Sequence, residues 1–195
     1  MVGSKLDFLL AGVGGQGTIL TSDILAEVGM AAGYEAKKSE VHGMAQRGGS
    51  VETHVRWGKK VYSPVVEPGQ VDYLLGFEML EAARWWHFLG PHSVALVNRY
   101  RLNPPSVNLG EGRYPEPEEL EALLRNNGAE VRWVEATQEA LALGNTALVG
   151  TVLLGVLSNQ LEIPESVWLK TITAKVPARF VELNREAFLR GRRLR

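Results

Sequence analysis

Between Leu6 and Arg56 two glycine-bearing turns fall within one stretch of strand and helix signals, and few folds accept that arrangement. The apolar run of Leu6 and Phe8 to Ala11 is consistent with a buried strand. It breaks into Gly12-Val13-Gly14-Gly15-Gln16-Gly17, a G-x-G-x-x-G pattern. A helical pattern follows, with Leu20, Ile24, Val28 and Ala31 on one face and Thr21, Asp23 and Glu27 turned away. Gly33 closes it, as a residue able to take positive φ after a helix should. A second strand ends near Glu40, and a second glycine loop follows: Gly43-Met44-Ala45-Gln46-Arg47-Gly48-Gly49. Two such loops beside strand ends gather backbone N–H groups at one edge of a sheet, and that edge is where function is expected.

Downstream, Val51, Thr53, Val55 and Trp57 alternate with Glu52, His54 and Arg56, the mark of a half-buried strand. Gly58-Lys59-Lys60 reads as a turn into a brief extended piece, Val61 to Pro64, which suggests an antiparallel hairpin around Trp57 to Val61. Strands are expected at Val71 to Phe77, Ser93 to Val97 and Val131 to Val134. Helices are expected from Glu78 through the tryptophan pair Trp85-Trp86, and around Pro117, with acids in its first turn. Others are expected from a capping Thr137 to Gly144, from a capping Asn145 to Ser158, after Pro164 and after Pro177. The segment Thr146 to Leu157 is apolar on nearly every side, so it is either deeply buried or faces another subunit. The basic end, Arg190 to Arg195, reads as a solvated, frayed tail. Alternating strands and helices over a chain of this length predict one α/β domain spanning 1–195. Its expected form is a three-layer α/β/α with a mostly parallel mixed sheet and a Rossmann-like start.

Composition removes several classes. The net charge of −1 gives no electrostatic case for nucleic acid or an anionic membrane. There is no cysteine, which excludes disulfides, thiolate zinc and thiolate-held iron–sulfur clusters in this chain. The longest apolar segment falls short of the ~18 residues that a membrane span needs, and no signal peptide is read at the N-terminus, so a cytoplasmic location is expected. Neither His42 nor His54 has companions at metal-ligand spacing, so no metal is expected. No nucleophile–base motif or P-loop is visible.

Each loop has a chemical reading and a plain one. Gly14, Gly15, Gln16 and Gly17 could present a helix N-terminus to a phosphate, or simply permit a tight turn and close packing. In a nicotinamide enzyme an acid about 20 residues further on would take the ribose hydroxyls, and Glu40 is the residue so placed. In the second loop, Gln46 and Arg47 beside Gly48 and Gly49 offer a charged fork and a donor-rich backbone suited to phosphate or carboxylate. The plain alternative for Arg47 is a salt bridge to Glu40 or Glu52. His42 and His54 flank that loop as candidate groups for titration near neutral pH, although His54 shares the polar face of its strand with Glu52 and Arg56.

The blocks GVGGQG, SEVHGMAQRGGSVETHVRWG and VYSP resemble the small subunit of the indolepyruvate ferredoxin oxidoreductases. More broadly they resemble the gamma domain of the 2-oxoacid:ferredoxin oxidoreductases. VDYLLGFEMLEAAR, LGN and VPARFVELNREAFLRG extend the resemblance over almost the whole chain. The M-A-Q-R-G-G run favours the indolepyruvate type over the pyruvate and branched-chain types. The resemblance implies oxidative decarboxylation of an aryl-2-oxoacid with coenzyme A, giving acyl-CoA, carbon dioxide and reduced ferredoxin. It implies that thiamine diphosphate and the iron–sulfur clusters belong to a larger catalytic subunit, which passes electrons to ferredoxin. It assigns Gly14, Gly15, Gln16, Gly17, Glu40, His42, Gln46, Arg47, Gly48 and Gly49 to loops that shape the subunit interface or receive the coenzyme A phosphates. It also replaces the free-standing NAD(P)-dependent reading of the first loop. Alone, such a chain is expected to cover its interface by forming a homodimer, through the apolar helix or the glycine-loop face.

Overall fold

The computed structural model describes residues 5–42 and 48–194, with the backbone alone at His42. Six strands form one sheet in the order β2-β3-β1-β4-β5-β6. They are β1 (Leu6–Val13), β2 (Glu35–His42), β3 (Ser50–Gly58), β4 (Val71–Gly76), β5 (Leu89–Asn98) and β6 (Glu130–Val134). β1, β4, β5 and β6 run parallel, while β3 is antiparallel to both β1 and β2. The mixed, mostly parallel expectation therefore holds. The hairpin expected around Trp57 to Val61 does not form. The antiparallel pairing lies between β2 and β3, and residues 59–70 carry no strand. Pro64 and Pro68 deny that segment a ladder, and Val61 and Val66 instead pack inward, almost wholly buried.

β1 shows why both faces of the sheet are covered. Phe8 and Leu10 enter one core and Leu9 and Ala11 the other, all fully buried. The Phe8 side holds helices α1 (Thr18–Ala31), α5 (Ala136–Ala142), α6 (Val149–Ser158), α7 (Glu165–Lys175) and α8 (Val181–Arg193). The Leu9 side holds α2 (Met79–Arg84) and α4 (Pro117–Leu124), and a short α3 (Pro105–Asn108) lies in the long connection after β5. This is the three-layer arrangement expected.

Local departures have local causes. α2 stops at Arg84 and passes into a 3₁₀ turn over Trp86–Phe88, and both Trp85 and Trp86 are half-buried. α1 buries Ile24 and Val28 as expected, with Asp23 and Glu27 half-buried, but Thr21 is buried too while Leu20 and Ala31 are exposed, so the buried face is rotated from the expected one. The cause is α6, which crosses α1 at Gly150; a Cβ there would lie 1.9 Å from Thr21 Oγ. All of α6 is buried, so the apolar helix is an internal element and not a contact for another chain. Its second close approach is to α8, where a Cβ on Gly155 would stand 2.2 Å from the Phe188 carbonyl oxygen. The basic end is not frayed over its described residues: α8 extends to Arg193, Arg190 lies 3.2 Å from both Glu139 and Glu186, and Arg192 lies 3.0 Å from Glu165. Cations in a last helical turn also complement the partial negative charge there.

Two measurements test this packing. Gly155→Ala forces a methyl into backbone and should cost about 1–3 kcal/mol in urea unfolding, while Gly112→Ala, which meets open space, should be near neutral. Equal midpoints for the two variants would refute the close crossing. The second concerns His54, which is buried, with Nδ1 accepting the Val66 N–H at 3.2 Å. Burial, aided by the Arg56 guanidinium and opposed by Asp7, holds its pKa below the ordinary imidazole value. A base with a lowered folded pKa stabilises fully above its unfolded value of about 6.5, and that stability is lost as pH falls through the folded value. His54→Asn keeps an acceptor for Val66 but takes no proton, so its Tm should fall by about 2 °C less than wild type between about pH 7.5 and 5.5. Parallel curves would show that His54 is not the titrating group.

Candidate functional site

The site builds from the end of β1. The chain leaves Val13 in a turn closed by Gln16, whose backbone N–H donates to the Val13 carbonyl at 3.1 Å. The Gln16 side chain folds back, and its Oε1 accepts the Val13 N–H at 2.7 Å. Gly17 then enters α1 at φ 86, a left-handed conformation that a side chain would strain. The first turn of α1 carries no side-chain cap and no acid, so its N–H groups remain available at the sheet edge.

The two glycine loops meet directly. Gly14 N–H donates to the Gly49 carbonyl at 2.8 Å, and Gly48 N–H donates to the Gly14 carbonyl at 3.3 Å. The register of β3 produces this: Ser50 pairs with Val13, so the residues before β3 arrive beside those after β1. Gly14, Gly15, Gln16, Gly17, Gly48 and Gly49 are thereby brought together. The His42 side chain, Gln46 and Arg47 lie outside the described residues. Glu40 does not join the group. Strand β3 separates β2 from β1, which puts Glu40 two strands away from the first loop, about 10 Å. Its carboxylate is held by Lys38, which also binds Asp23.

Beside the first loop lies a cleft of about 240 Å³. Gly15 and Gln16 form one wall, Asn98, Tyr100 and Leu102 after β5 a second, and Thr137, Thr146, Ala147 and Val149 a third. It opens outside the carboxyl ends of the parallel strands, next to the point where α1 and α2 depart to opposite faces, the usual ligand position in such sheets. No lining side chain is charged. Recognition here relies on hydroxyls, amides and backbone donors.

Several residues that shape the cleft carry no motif. Buried Asn98 donates through Nδ2 to the Phe77 carbonyl and to Thr137 Oγ, each at 2.9 Å, and its Oδ1 accepts the Thr137 N–H at 3.0 Å. It thus ties the ends of β4, β5 and β6. Thr137 sits inside the first turn of α5 instead of capping it. The one available signal was a polar residue closing the apolar run Val94 to Val97. Asn145 does cap as expected, accepting the Ala147 N–H at 3.0 Å and fixing the approach to α6. Glu78, also buried, caps α2, and burial raises its pKa against the hydrogen bonds that favour its charge. Among the described residues no group of three or more His, Asp or Glu is placed to hold a metal ion.

Comparison with known proteins agrees with the fold. The chain is 35% identical to the indolepyruvate oxidoreductase subunit IorB of Archaeoglobus fulgidus, covering 96% of this chain and 94% of that one. It is similar to the gamma subunit of a keto/oxoacid ferredoxin oxidoreductase from Geobacter sulfurreducens, at TM-score 0.68 and 25% identity over 95% of each chain. Its fold also matches part of the 2-oxoglutarate:ferredoxin oxidoreductase of Magnetococcus marinus, with TM-score 0.74 and 20% identity over 98% of this chain and 31% of that one. A family model described as pyruvate ferredoxin/flavodoxin oxidoreductase matches residues 7–194, and the chain belongs to that family.

Proposed function

We propose that this chain is the small subunit of an indolepyruvate-type 2-oxoacid:ferredoxin oxidoreductase and supports catalysis performed on a larger subunit. The observation that carries this reading is the 35% identity to an indolepyruvate oxidoreductase subunit over 96% of this chain and 94% of that one. The reaction is the coenzyme A-dependent oxidative decarboxylation of an aryl-2-oxoacid, with electrons passing to ferredoxin. Thiamine diphosphate and the iron–sulfur clusters reside in the larger subunit. The sequence fits that division, since a chain without cysteine offers no thiolate to iron.

The docking face is the carboxyl end of the sheet. Exposed Ile19, Leu20, Val41 and Leu102 surround the joined glycine loops there, an apolar rim with an uncharged cleft inside it. Gly14, Gly15, Gln16, Gly17, Gly48 and Gly49 shape the region, and in sequence Gln46 and Arg47 lie between His42, the last residue of β2, and Gly48. Glu40 braces the edge of that face through Lys38. Coenzyme A approaches along the face. The Magnetococcus marinus enzyme, whose fold this chain shares in part, was solved with coenzyme A and succinyl-CoA bound. Backbone donors of the first loop and the permanent charge of Arg47 are the groups here that suit its phosphates. A nicotinamide reading is disfavoured, because the acid near the end of β2, Glu40, is separated from the first loop by β3. With α6 buried, the glycine-loop face is also the surface that a lone chain would cover by pairing with a second copy. No helix among the described residues is long and apolar enough to cross a membrane, consistent with a cytoplasmic complex.

Co-purification with a candidate large subunit, followed by an anaerobic assay with indolepyruvate, coenzyme A and an electron acceptor, tests the reading. Turnover should appear only when both chains are present, and Arg47→Ala should raise the KM for coenzyme A about 10-fold. Turnover by this chain alone, or full activity of the large subunit without it, would overturn the proposal.

A further inference from the structure

The first turn of α2 carries two buried carboxylates three residues apart, and each reaches a different loop. Glu78, 1% exposed, accepts the Glu81 N–H at 2.8 Å with one oxygen, which satisfies its role as a helix cap. Its other oxygen accepts the Leu102 N–H at 3.0 Å and the Tyr114 hydroxyl. Tyr114 in turn accepts the Leu80 N–H at 3.0 Å, and Met79 N–H donates to the Tyr100 carbonyl at 3.0 Å. Tyr100 and Leu102 form one cleft wall, so that wall hangs from α2.

Glu81, 7% exposed, turns the other way. It accepts the Ser50 hydroxyl at 2.5 Å, while Arg84 Nε lies 3.2 Å from its second oxygen. Ser50 follows Gly48 and Gly49, the two residues hydrogen-bonded to Gly14. Hydrogen bonds to a buried carboxylate are the strong kind, and an unpaired buried acceptor is costly, so neither link is casual. The turn itself is anchored from below, since Phe77 N–H donates to the Ala11 carbonyl at 2.8 Å and Asn98 holds the Phe77 carbonyl.

We propose that Glu78 and Glu81 are positioning residues that fix the cleft wall and the root of the second glycine loop to one rigid helical turn, so that the two move and bind as a unit. This rests on the carboxyl end of the sheet being the face that meets the larger subunit. A partner pressing on Leu102 then also sets Ser50 and the Gly48–Gly49 pair, and the coupling is reciprocal.

Two measurements separate this inference from the docking reading. In the isolated chain, Ser50→Ala should speed amide exchange at Leu102, a residue in a different loop, about 5-fold, because the shared turn loosens. Unchanged exchange at Leu102 sinks the inference whatever the partner does. In the assembled enzyme, Ser50→Ala and Tyr114→Phe should each weaken affinity for the large subunit about 3- to 10-fold, and the double variant should lose clearly less than the product of the two. Glu81→Gln, which keeps an oxygen for Ser50, should bind within about 2-fold of wild type, whereas Glu81→Leu should match Ser50→Ala. Losses that multiply, or variants that lower Tm while binding as wild type does, would show a merely structural role. Failure of the wild-type chain to bind any large subunit would instead overturn the docking reading and leave the exchange result standing.

Discussion

Strand β1 is hydrogen-bonded along both edges by neighbours of opposite direction, and everything else is placed by that condition. On one side β3 runs antiparallel and delivers Ser50 opposite Val13; on the other β4 runs parallel and delivers Gly76 opposite Ala11. The first pairing forces the second glycine loop onto the first. The second sends α2 to the opposite face from α1, and a crevice opens between them. With both faces of β1 buried, a slip of one residue would exchange Phe8 and Leu10 with Leu9 and Ala11 between two differently shaped cores. Position of the loops is therefore enforced by the core and not by the loops themselves.

Much of this could be read from the chain because it is written in local chemistry. The run into Gly12, the closing Gly33, the capping Asn145 and the proline-led helix at Pro117 each express a backbone preference that tertiary packing did not override. What could not be read depends on partners distant in sequence. Thr21 looked solvent-facing until α6 brought Gly150 against it. Gly58, a turn residue, points to a hairpin at Trp57 to Val61, but strand pairing is decided by which edges are free, and β1 and β2 both pair with β3. Arg190 and Arg192 looked like a tail because their acids, Glu139 and Glu165, lie in other helices.

The site divides along the same line. Its glycines were legible, since G-x-G-x-x-G and G-G are patterns of backbone freedom. Asn98, Glu78 and Tyr114 were not, because a polar residue that joins three strand ends or two loops looks in sequence like any other Asn, Glu or Tyr. The acid that pattern reading favoured, Glu40, is displaced by topology alone: a dinucleotide fold places the strand after α1 next to β1, and here an antiparallel strand occupies that position.

The crossing of α6 and α8 has a consequence for how such a subunit comes into being. α6 is apolar throughout and wholly buried, and one of its covers is the last 13-residue helix of the described chain. Without α8, α6 would keep an apolar flank with no cover, which makes an adhesive intermediate and not a smaller working module. Val149, the first residue of α6, lines the cleft, so docking of α8 on α6 is a precondition for presenting a finished surface to the partner, a form of quality control contained in the order of the helices.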